Sequence, residues 1–146
     1  MGKAPQLTGF TLIELLVVIT VIAILAGLVA PAVFTSVGDA KVAAARTDIE
    51  TLGLALDLYA LHNDSYPTTS QGLRALVVAP ASPAAPNWRG PYLKRGVPDD
   101  PWGRPYTYRS PGAAGASGYE LSSLGRDGRA GGQGQDEDLQ SWEQPR

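Results

Sequence analysis

A long uncharged segment near the N-terminus constrains the fold more than any other feature of the sequence. No charged residue occurs between Leu15 and Gly38, and Thr20 is the one polar side chain within residues 15–34. A helix rises about 1.5 Å per residue, so this stretch covers the roughly 30 Å hydrocarbon core of a bilayer. A buried helix of a soluble protein would carry a polar stripe. The segment therefore predicts a membrane-spanning helix.

The flanks of this segment indicate its orientation. Lys3 is the one charged residue ahead of Glu14, and a positive charge on that side places the N-terminus in the cytoplasm. A secretory signal would be followed by an A-x-A-like cleavage site, and residues 35–48 offer no clear one. The segment is therefore expected to stay with the mature protein, and the polar remainder to lie outside the inner membrane.

The overall composition excludes several classes of function. The net charge is −2, from 12 basic and 14 acidic residues, which excludes a basic nucleic-acid binder. The absence of cysteine excludes disulfides, thiolate metal sites and a cysteine nucleophile. His62 is the single histidine and is expected near a helix C-terminus, where the dipole favours it. Ser122 and Ser123 have no evident activating partner, so we do not expect an enzyme.

Glu14 lies at the edge of the apolar segment. A carboxylate at the centre of a membrane helix costs about 2.5–3.5 kcal/mol on insertion scales. One interpretation is that Glu14 sits at the level of the lipid headgroups and is solvated. The other is that it needs a cationic partner, such as an amino terminus created by cleavage nearby. The residues alone leave both interpretations open.

A second helical pattern follows the apolar segment. Apolar residues recur there at spacings of three and four, which is typical of a helix with one apolar face. They are Val42, Ala45, Ile49, Leu52, Leu56 and Tyr59. Asp64, Ser65 and Pro67 end the pattern. Residues 10–62 are therefore predicted to form one helix.

The segment from residue 63 to residue 105 is rich in proline and poor in periodicity. It is either a disordered linker or an ordered loop with a short helix near residues 70–78. Its large side chains favour order, because they can anchor the chain to a core. These are Trp88, Tyr92, Leu93 and Trp102, with Tyr106 just beyond.

Two short strands are predicted after this loop. Residues 106–108 and 119–122 alternate as strands do, and residues 110–118 between them are rich in glycine, alanine and proline. A hairpin of this kind, with one more strand, would cover the apolar face of the helix. The expected fold class is therefore α+β.

The C-terminal segment combines glycine with acidic residues. Residues 112–134 hold eight of the 17 glycines, and the acids nearby are Asp127, Asp136, Glu137 and Asp138. Oxygen donors on a flexible loop suit Ca²⁺, which takes six to eight oxygen ligands, whereas Mg²⁺ demands stricter octahedral geometry. The strict EF-hand pattern is absent. The residues alone leave two interpretations open: the acidic residues form a metal site, or they belong to a solvated acidic tail.

Residues 9–14, GFTLIE, resemble the processing motif of the type IV pilins and pseudopilins. The resemblance implies cleavage between Gly9 and Phe10 by a prepilin peptidase, and N-methylation of the new terminal Phe10. It also implies that Glu14 pairs with the N-terminal amine of a neighbouring subunit during assembly. Pro31 matches a family proline in a helix stretch that can melt in the filament; a harmless kink is the alternative.

The rest of the chain resembles the major pseudopilin family of the type II secretion system. The motifs that carry this resemblance are residues 65–69 (SYPTT), 71–73 (QGL), 90–94 (GPYLK), 100–103 (DPWG), 111–112 (PG) and 123–128 (SLGRDG), together with Tyr106. The resemblance favours a secretion pseudopilin over a type IV pilin for adhesion, motility or DNA uptake, which remains the alternative.

This resemblance implies a pilin-like fold: a long N-terminal helix, its first half in the membrane, packed on a small antiparallel sheet, with a long loop after the helix and a calcium loop near the C-terminus. Residues 1–9 would be a cleaved leader, residues 10–34 the transmembrane and filament-core helix, and residues 35–146 a periplasmic globular domain. The subunit would wait in the inner membrane as a single-pass protein and then polymerise into a periplasmic pseudopilus that drives protein export.

The resemblance also implies partners and a cofactor. The partners would be further copies of the chain, minor pseudopilins, the prepilin peptidase, the inner-membrane assembly platform and, before assembly, membrane lipid. The cofactor would be Ca²⁺. Its ligands would be the carbonyl of Leu124 and the carboxylates of Asp127, Asp136 and Asp138, with Glu137 in reserve for Asp136.

Overall fold

The computed structural model describes residues 9–112 and 118–141, except for the side chains of residues 28–35. The predicted leader up to residue 8, residues 113–117 of the predicted turn region and Trp142 lie outside the described residues. The chain divides into two compact units, Met1–Val37 and Gly38–Arg146, and we call the second unit the head.

A single helix, α1, extends over Leu12–Asn63 and confirms the helix predicted for residues 10–62. Its end has the features that the sequence indicated. Asp64 takes a left-handed φ of 59°, which the helix cannot continue through. The side chain of Asn63 donates a hydrogen bond to the carbonyl of Tyr59 at 3.0 Å and so satisfies one of the last helix carbonyls.

The first unit presents apolar side chains without cover. From Phe10 to Gly27 every described side chain is exposed, including that of Phe10 at 80%. Among the residues that the structure describes, no helix has a stretch long and apolar enough to qualify as a membrane span. The predicted span over residues 10–34 therefore stays a prediction, and its last part falls on the undescribed side chains.

The core of the head lies against one face of α1. The predicted apolar stripe is confirmed, since five of its six residues are buried and Val42 packs at the edge of the same cluster. The buried apolar residues are Ala45, Ile49, Leu52, Ala55, Leu56, Tyr59, Leu73, Ala75, Leu76, Tyr106, Tyr108, Leu121 and Leu139. Burying one such large side chain contributes about 1.5–3 kcal/mol. Every element of the head is therefore held by the same helix face.

A three-stranded antiparallel sheet covers this face. Its strands are β1 (Thr107–Arg109), β2 (Glu120–Ser123) and β3 (Leu139–Gln140), in the order β1-β2-β3. The predicted hairpin is confirmed with its strands shifted by one residue, and β3 supplies the further strand. Tyr108 pairs with Leu121 and Ser123 pairs with Leu139, so residues at alternate positions enter the core.

The proline-rich segment after α1 is an ordered loop. The helix predicted near residues 70–78 is a single 3₁₀ turn over Leu73–Leu76. It cannot begin earlier, because Gly72 has a φ of 60°, which does not continue a right-handed helix. The indole nitrogen of Trp88 donates to the carbonyl of Ala75 at 2.8 Å, and the amide of Tyr92 donates to the carbonyl of Leu76 at 2.7 Å. These aromatic anchors hold the loop on the core.

The burial pattern makes a direct prediction about stability. Leu56→Ala removes a side chain that is 0% exposed and should lower the free energy of unfolding by about 2–5 kcal/mol. Leu54→Ala is the matched control, because Leu54 lies two residues away on the same helix and is 68% exposed. Denaturant unfolding of the full chain in detergent, followed by tryptophan fluorescence, measures both. Equal losses from the two variants would contradict the assignment of the core.

Candidate functional site

The residues of the predicted processing site precede α1. Gly9 and Phe10 lie outside the helix and are exposed, and a Cβ added to Gly9 would meet no atom within 4 Å. The described residues therefore leave the peptide bond between them open to an approaching enzyme. The helix begins two residues later, at Leu12.

Glu14 caps the start of α1. Its Oε2 accepts hydrogen bonds from the amide of Thr11 at 3.4 Å and from the Thr11 hydroxyl at 3.3 Å. In return, the amide of Glu14 donates to Thr11 Oγ1 at 3.3 Å. This reciprocal arrangement is a capping box, which satisfies amides that have no partner at a helix start. The local role was missed from the sequence, although the signal was present as Thr-x-x-Glu ahead of an apolar run.

The segment between β2 and β3 forms a closed loop, which we call the C-terminal loop and define as residues 124–138. The amide of Arg126 donates to the carbonyl of Gln135 at 2.8 Å and so joins its two arms. Gly125 has a φ of 62°, and a Cβ there would lie 2.7 Å from the carbonyl oxygen of Glu137. Only glycine fits this position, because the two backbones are in direct contact.

Two of the predicted metal ligands, Asp127 and Asp138, accept hydrogen bonds from different amides of this loop. Asp127 accepts a hydrogen bond from the amide of Arg129 at 3.0 Å. One oxygen of Asp138, Oδ2, accepts from the amide of Gly131 at 2.9 Å. Its other oxygen, Oδ1, is buried and has no hydrogen-bond partner. A buried carboxylate oxygen without a partner is costly, and a bound cation or water would satisfy it.

The third predicted carboxylate, that of Asp136, is already paired with a cationic side chain. Both oxygens of Asp136 accept hydrogen bonds from the guanidinium of Arg126, each at 2.8 Å. This bond raises the pKa of Arg126, chiefly because the hydrogen bond favours its charged form. The pair is largely exposed, at 58% for Arg126 and 30% for Asp136, so its contribution to stability is small.

The acidic residues are not gathered as a metal site would gather them. Among the residues that the structure describes, no group of three or more acidic or histidine side chains is placed to hold a metal ion. Asp127 and Asp138 fit Ca²⁺ by their chemistry, and the orphaned oxygen of Asp138 supports a cation there. Asp136 can bind Ca²⁺ only if its ion pair with Arg126 breaks. The exposed Glu137 stays the alternative ligand to Asp136.

Two residues that hold the C-terminal loop, Arg104 directly and Asp100 through Ser123 at the end of β2, were missed from the sequence. The guanidinium of Arg104 donates to the carbonyl of Gly125 at 2.6 Å and to that of Arg126 at 2.8 Å. Asp100 is 5% exposed and accepts a hydrogen bond from the hydroxyl of Ser123 at 2.6 Å. The motif of residues 100–103 was noticed as a family signature, but nothing local in it indicates a contact more than 20 residues away.

The residues considered for catalysis have structural partners. The Nδ1 of His62 lies 3.0 Å from the hydroxyl of Tyr92, where it joins the end of α1 to the long loop. Ser123 does have an acidic partner in Asp100, contrary to the expectation from sequence, but its side chain is fully buried. No serine is hydrogen-bonded to His62 among the contacts of the described residues, so no nucleophile is activated there.

Comparisons with known proteins agree with one another over successive parts of the chain. A model described as prokaryotic N-terminal methylation motif matches residues 8–30, and a model of type II secretion system protein G matches residues 32–142. The core protein G of Pseudomonas aeruginosa is 47% identical over 140 residues, which cover 94% of this chain and 96% of that protein. The core protein G of Vibrio cholerae is 46% identical over 143 residues, which cover 97% and 96%.

A solved structure agrees with this picture. The crystal structure of the major pseudopilin from the type 2 secretion system of enterohaemorrhagic Escherichia coli is 37% identical, with a TM-score of 0.58. The match covers 73% of this chain and 88% of that one, and it confirms the expected α+β pseudopilin fold. The chain therefore belongs to the type II secretion system protein G family, whose members are structural secretion subunits and not enzymes.

Proposed function

We propose that this chain is the major structural subunit of a type II secretion pseudopilus, which polymerises into a periplasmic filament and drives protein export across the outer membrane. One observation carries the proposal: the GFTLIE motif stands at the start of a helix whose described N-terminal part is wholly exposed and, apart from Glu14 and Thr20, apolar, on a chain that continues as a protein G head. A type IV pilin is not favoured, because the matched relatives are core secretion proteins.

The exposed half of α1 needs an apolar environment in both states of the subunit. Its described apolar side chains, from Leu12 to Leu25, would cost several tens of kcal/mol if they all stayed in water, at about 25 cal/mol per Å². Before assembly, inner-membrane lipid around residues 10–34 supplies that environment, with residues 35–146 in the periplasm. In the filament, the same helices of other copies replace the lipid.

Glu14 then acts between subunits. Both of its hydrogen bonds to Thr11 use Oε2 and are longer than 3.2 Å, whereas a carboxylate offers about four acceptor positions. Glu14 can therefore cap its own helix and still accept a hydrogen bond from a cationic group. Cleavage after Gly9 creates that cation as the N-terminal amine of Phe10 on a neighbouring copy. A charge-assisted hydrogen bond away from water is stronger than a neutral one, so this pair would set the register of assembly.

Further components follow from the same proposal. A prepilin peptidase removes residues 1–9 and the new amine of Phe10 is methylated. An inner-membrane assembly platform extracts the subunits, and minor pseudopilins cap the filament. These roles rest on the family and on the match of the methylation motif to residues 8–30.

We propose that Ca²⁺ binds in the C-terminal loop. Asp127 and Asp138 would hold it with the carbonyl of Leu124, and Asp136 would join them if it leaves Arg126. The metal would supply positive charge to the buried Asp138 Oδ1 and bring both arms of a glycine-rich loop together. The support is the unsatisfied oxygen and the oxygen-donor chemistry of the loop.

The processing proposal predicts the mass of the mature N-terminus. Chain purified from cells that carry the secretion system should lack residues 1–9 and begin with a methylated Phe10. Chain from cells without the peptidase should keep its leader. Intact-mass and N-terminal peptide spectrometry measure both forms. Recovery of the leader on chains from assembled filaments would contradict the proposal.

The assembly proposal predicts a specific effect of the Glu14 charge. Glu14→Gln keeps the size of the side chain and should leave membrane insertion intact while it reduces filaments by about tenfold or more, because the pair with the Phe10 amine is lost. Glu50→Gln is the control, since Glu50 is an exposed carboxylate of α1 within the head. Crosslinking of subunits in intact cells, followed by immunoblots of the crosslinked multimers, gives the yield of periplasmic filament. Normal filaments from Glu14→Gln would refute the pairing role.

The calcium proposal predicts a stability that depends on the metal. At a calcium concentration about 100 times its Kd, the gain is about 2.7 kcal/mol, which is about 10 °C in Tm for a domain of this size. A chelator should remove that gain, and Asp127→Ala and Asp138→Asn should each abolish the response. Asp64→Asn, an exposed acid beyond α1, is the control. A Tm that ignores both calcium and chelator would refute the site.

A further inference from the structure

We propose that the turn formed by residues 100–104, which we call the clamp turn, positions the C-terminal loop and fixes the direction of the Leu124 carbonyl. The part of this proposal that concerns calcium rests on the proposed calcium site. The part that concerns the loop backbone stands on contacts that need no metal. Asp100 and Arg104 are positioning residues in this role.

The clamp turn is itself rigid. Asp100 Oδ1 accepts hydrogen bonds from the amides of Trp102 at 3.1 Å and Arg104 at 2.8 Å. The amide of Asp100 donates to the carbonyl of Arg104 at 2.7 Å, and the amide of Gly103 donates to that of Asp100 at 2.8 Å. Gly103 takes a φ of 84°, which suits glycine, and Pro101 fixes its own φ. The backbone that carries the side chains of Asp100 and Arg104, at the two ends of the turn, is therefore held in place by these hydrogen bonds.

The first contact with the loop is a buried relay. The Ser123 hydroxyl donates to Asp100 Oδ2 at 2.6 Å, and its oxygen accepts the amide of Gly125 at 3.3 Å. Ser123 is 2% exposed and Asp100 is 5% exposed, so little water competes for these bonds. A hydrogen bond to a carboxylate is stronger than a neutral one. Asp100 thus determines where the Ser123 oxygen points, and that oxygen determines where the Gly125 amide points.

The second contact is a fork on two carbonyls. Arg104 donates from Nη1 to the oxygen of Gly125 and from Nη2 to the oxygen of Arg126. A guanidinium holds its donors in one plane at fixed spacing, so it orients two acceptors at once. Gly125 is therefore fixed from both sides, at its amide through Ser123 and at its carbonyl through Arg104.

These contacts orient the carbonyl that the calcium proposal needs. The cis peptide bonds among the described residues all precede proline, so the bond between Leu124 and Gly125 is trans. In a trans peptide the N–H and the C=O point in opposite directions. Because the Gly125 amide points at the Ser123 hydroxyl, the Leu124 carbonyl points away from it. The clamp turn sets this direction without touching Leu124.

The loop is built to receive the guanidinium. Gly128 has a φ of 67°, and a Cβ there would lie 2.7 Å from Cζ of Arg104. A larger residue at this position would collide with the side chain that holds the loop. Asp127, a proposed calcium ligand, lies between this glycine and the forked carbonyl of Arg126. The two motifs, residues 100–104 and residues 125–128, therefore form one contact surface inside the head.

The test compares amide exchange and calcium affinity in the full chain in detergent. Arg104→Met removes the fork, and Ser123→Ala removes the acceptor of the Gly125 amide. In chelator, each should speed exchange at residues 124–126 by about tenfold while peptides from the buried face of α1 stay unchanged. In calcium, each should weaken the Kd by about tenfold. Arg104→Lys should restore only part of both effects, because an ammonium cannot reproduce the fork.

Two controls separate this proposal from the calcium proposal. Arg95→Met removes an exposed arginine and should change neither the exchange rates at residues 124–126 nor the Kd for calcium. Asp127→Ala should abolish calcium binding and leave exchange in chelator as in the wild type. A wild-type chain that binds no calcium would refute the proposed metal site alone. The exchange rates in chelator would still test whether the clamp turn positions the C-terminal loop.

Wild-type exchange rates in both Arg104→Met and Ser123→Ala would overturn the clamp. Faster exchange with a Kd within about twofold of the wild type would overturn the orientation of the Leu124 carbonyl.

Discussion

The packing of the head against one face of α1 is the constraint on which the rest of the structure depends. Leu52 and Leu56 are buried there by the long loop and the sheet, neither of which has enough apolar surface of its own to fold alone. A three-stranded sheet with one strand of two residues needs such a support. The helix is therefore the scaffold of the head.

The N-terminal half of the same helix has no cover among the described residues. A soluble protein would not leave so many apolar side chains in water, because their transfer free energy would favour aggregation. Along one helix, the described first part is exposed and largely apolar, and the second part carries the buried face on which the head packs.

The C-terminal loop shows how polar contacts replace a core where there are few apolar residues. Glycines 125 and 128 let the backbone pass close to the opposite arm of the loop and to Arg104, and two guanidinium groups satisfy carbonyls and a carboxylate. Such a loop has little burial to hold it. Its order depends on a small number of charged contacts, and this is why a single side chain such as that of Arg104 has a large influence on it.

The periodicity of the sequence was sufficient for the elements of the fold. The spacing of Val42 to Tyr59 fixed the buried helix face, and alternation found β1 and β2 to within one residue, because both depend on local geometry. The short helix near residue 73 was predicted to begin too early, since the positive φ of Gly72 is not visible in a hydrophobic pattern. The motif of residues 9–14 likewise indicated the pilins and pseudopilins, because its register against the apolar segment is a local property, and the motifs of residues 65–128 indicated the secretion family.

What the sequence alone determined was the long helix, its apolar first half, the buried stripe of its second half and the family to which the chain belongs. What only the tertiary structure decided was which charged groups meet: Arg104 with the carbonyls of the loop, Asp100 with Ser123, and Arg126 with Asp136. Hydrophobic patterns repeat along the chain and can be read there. A hydrogen bond between residues ten or more positions apart depends on the folded path between them, and no local pattern records it.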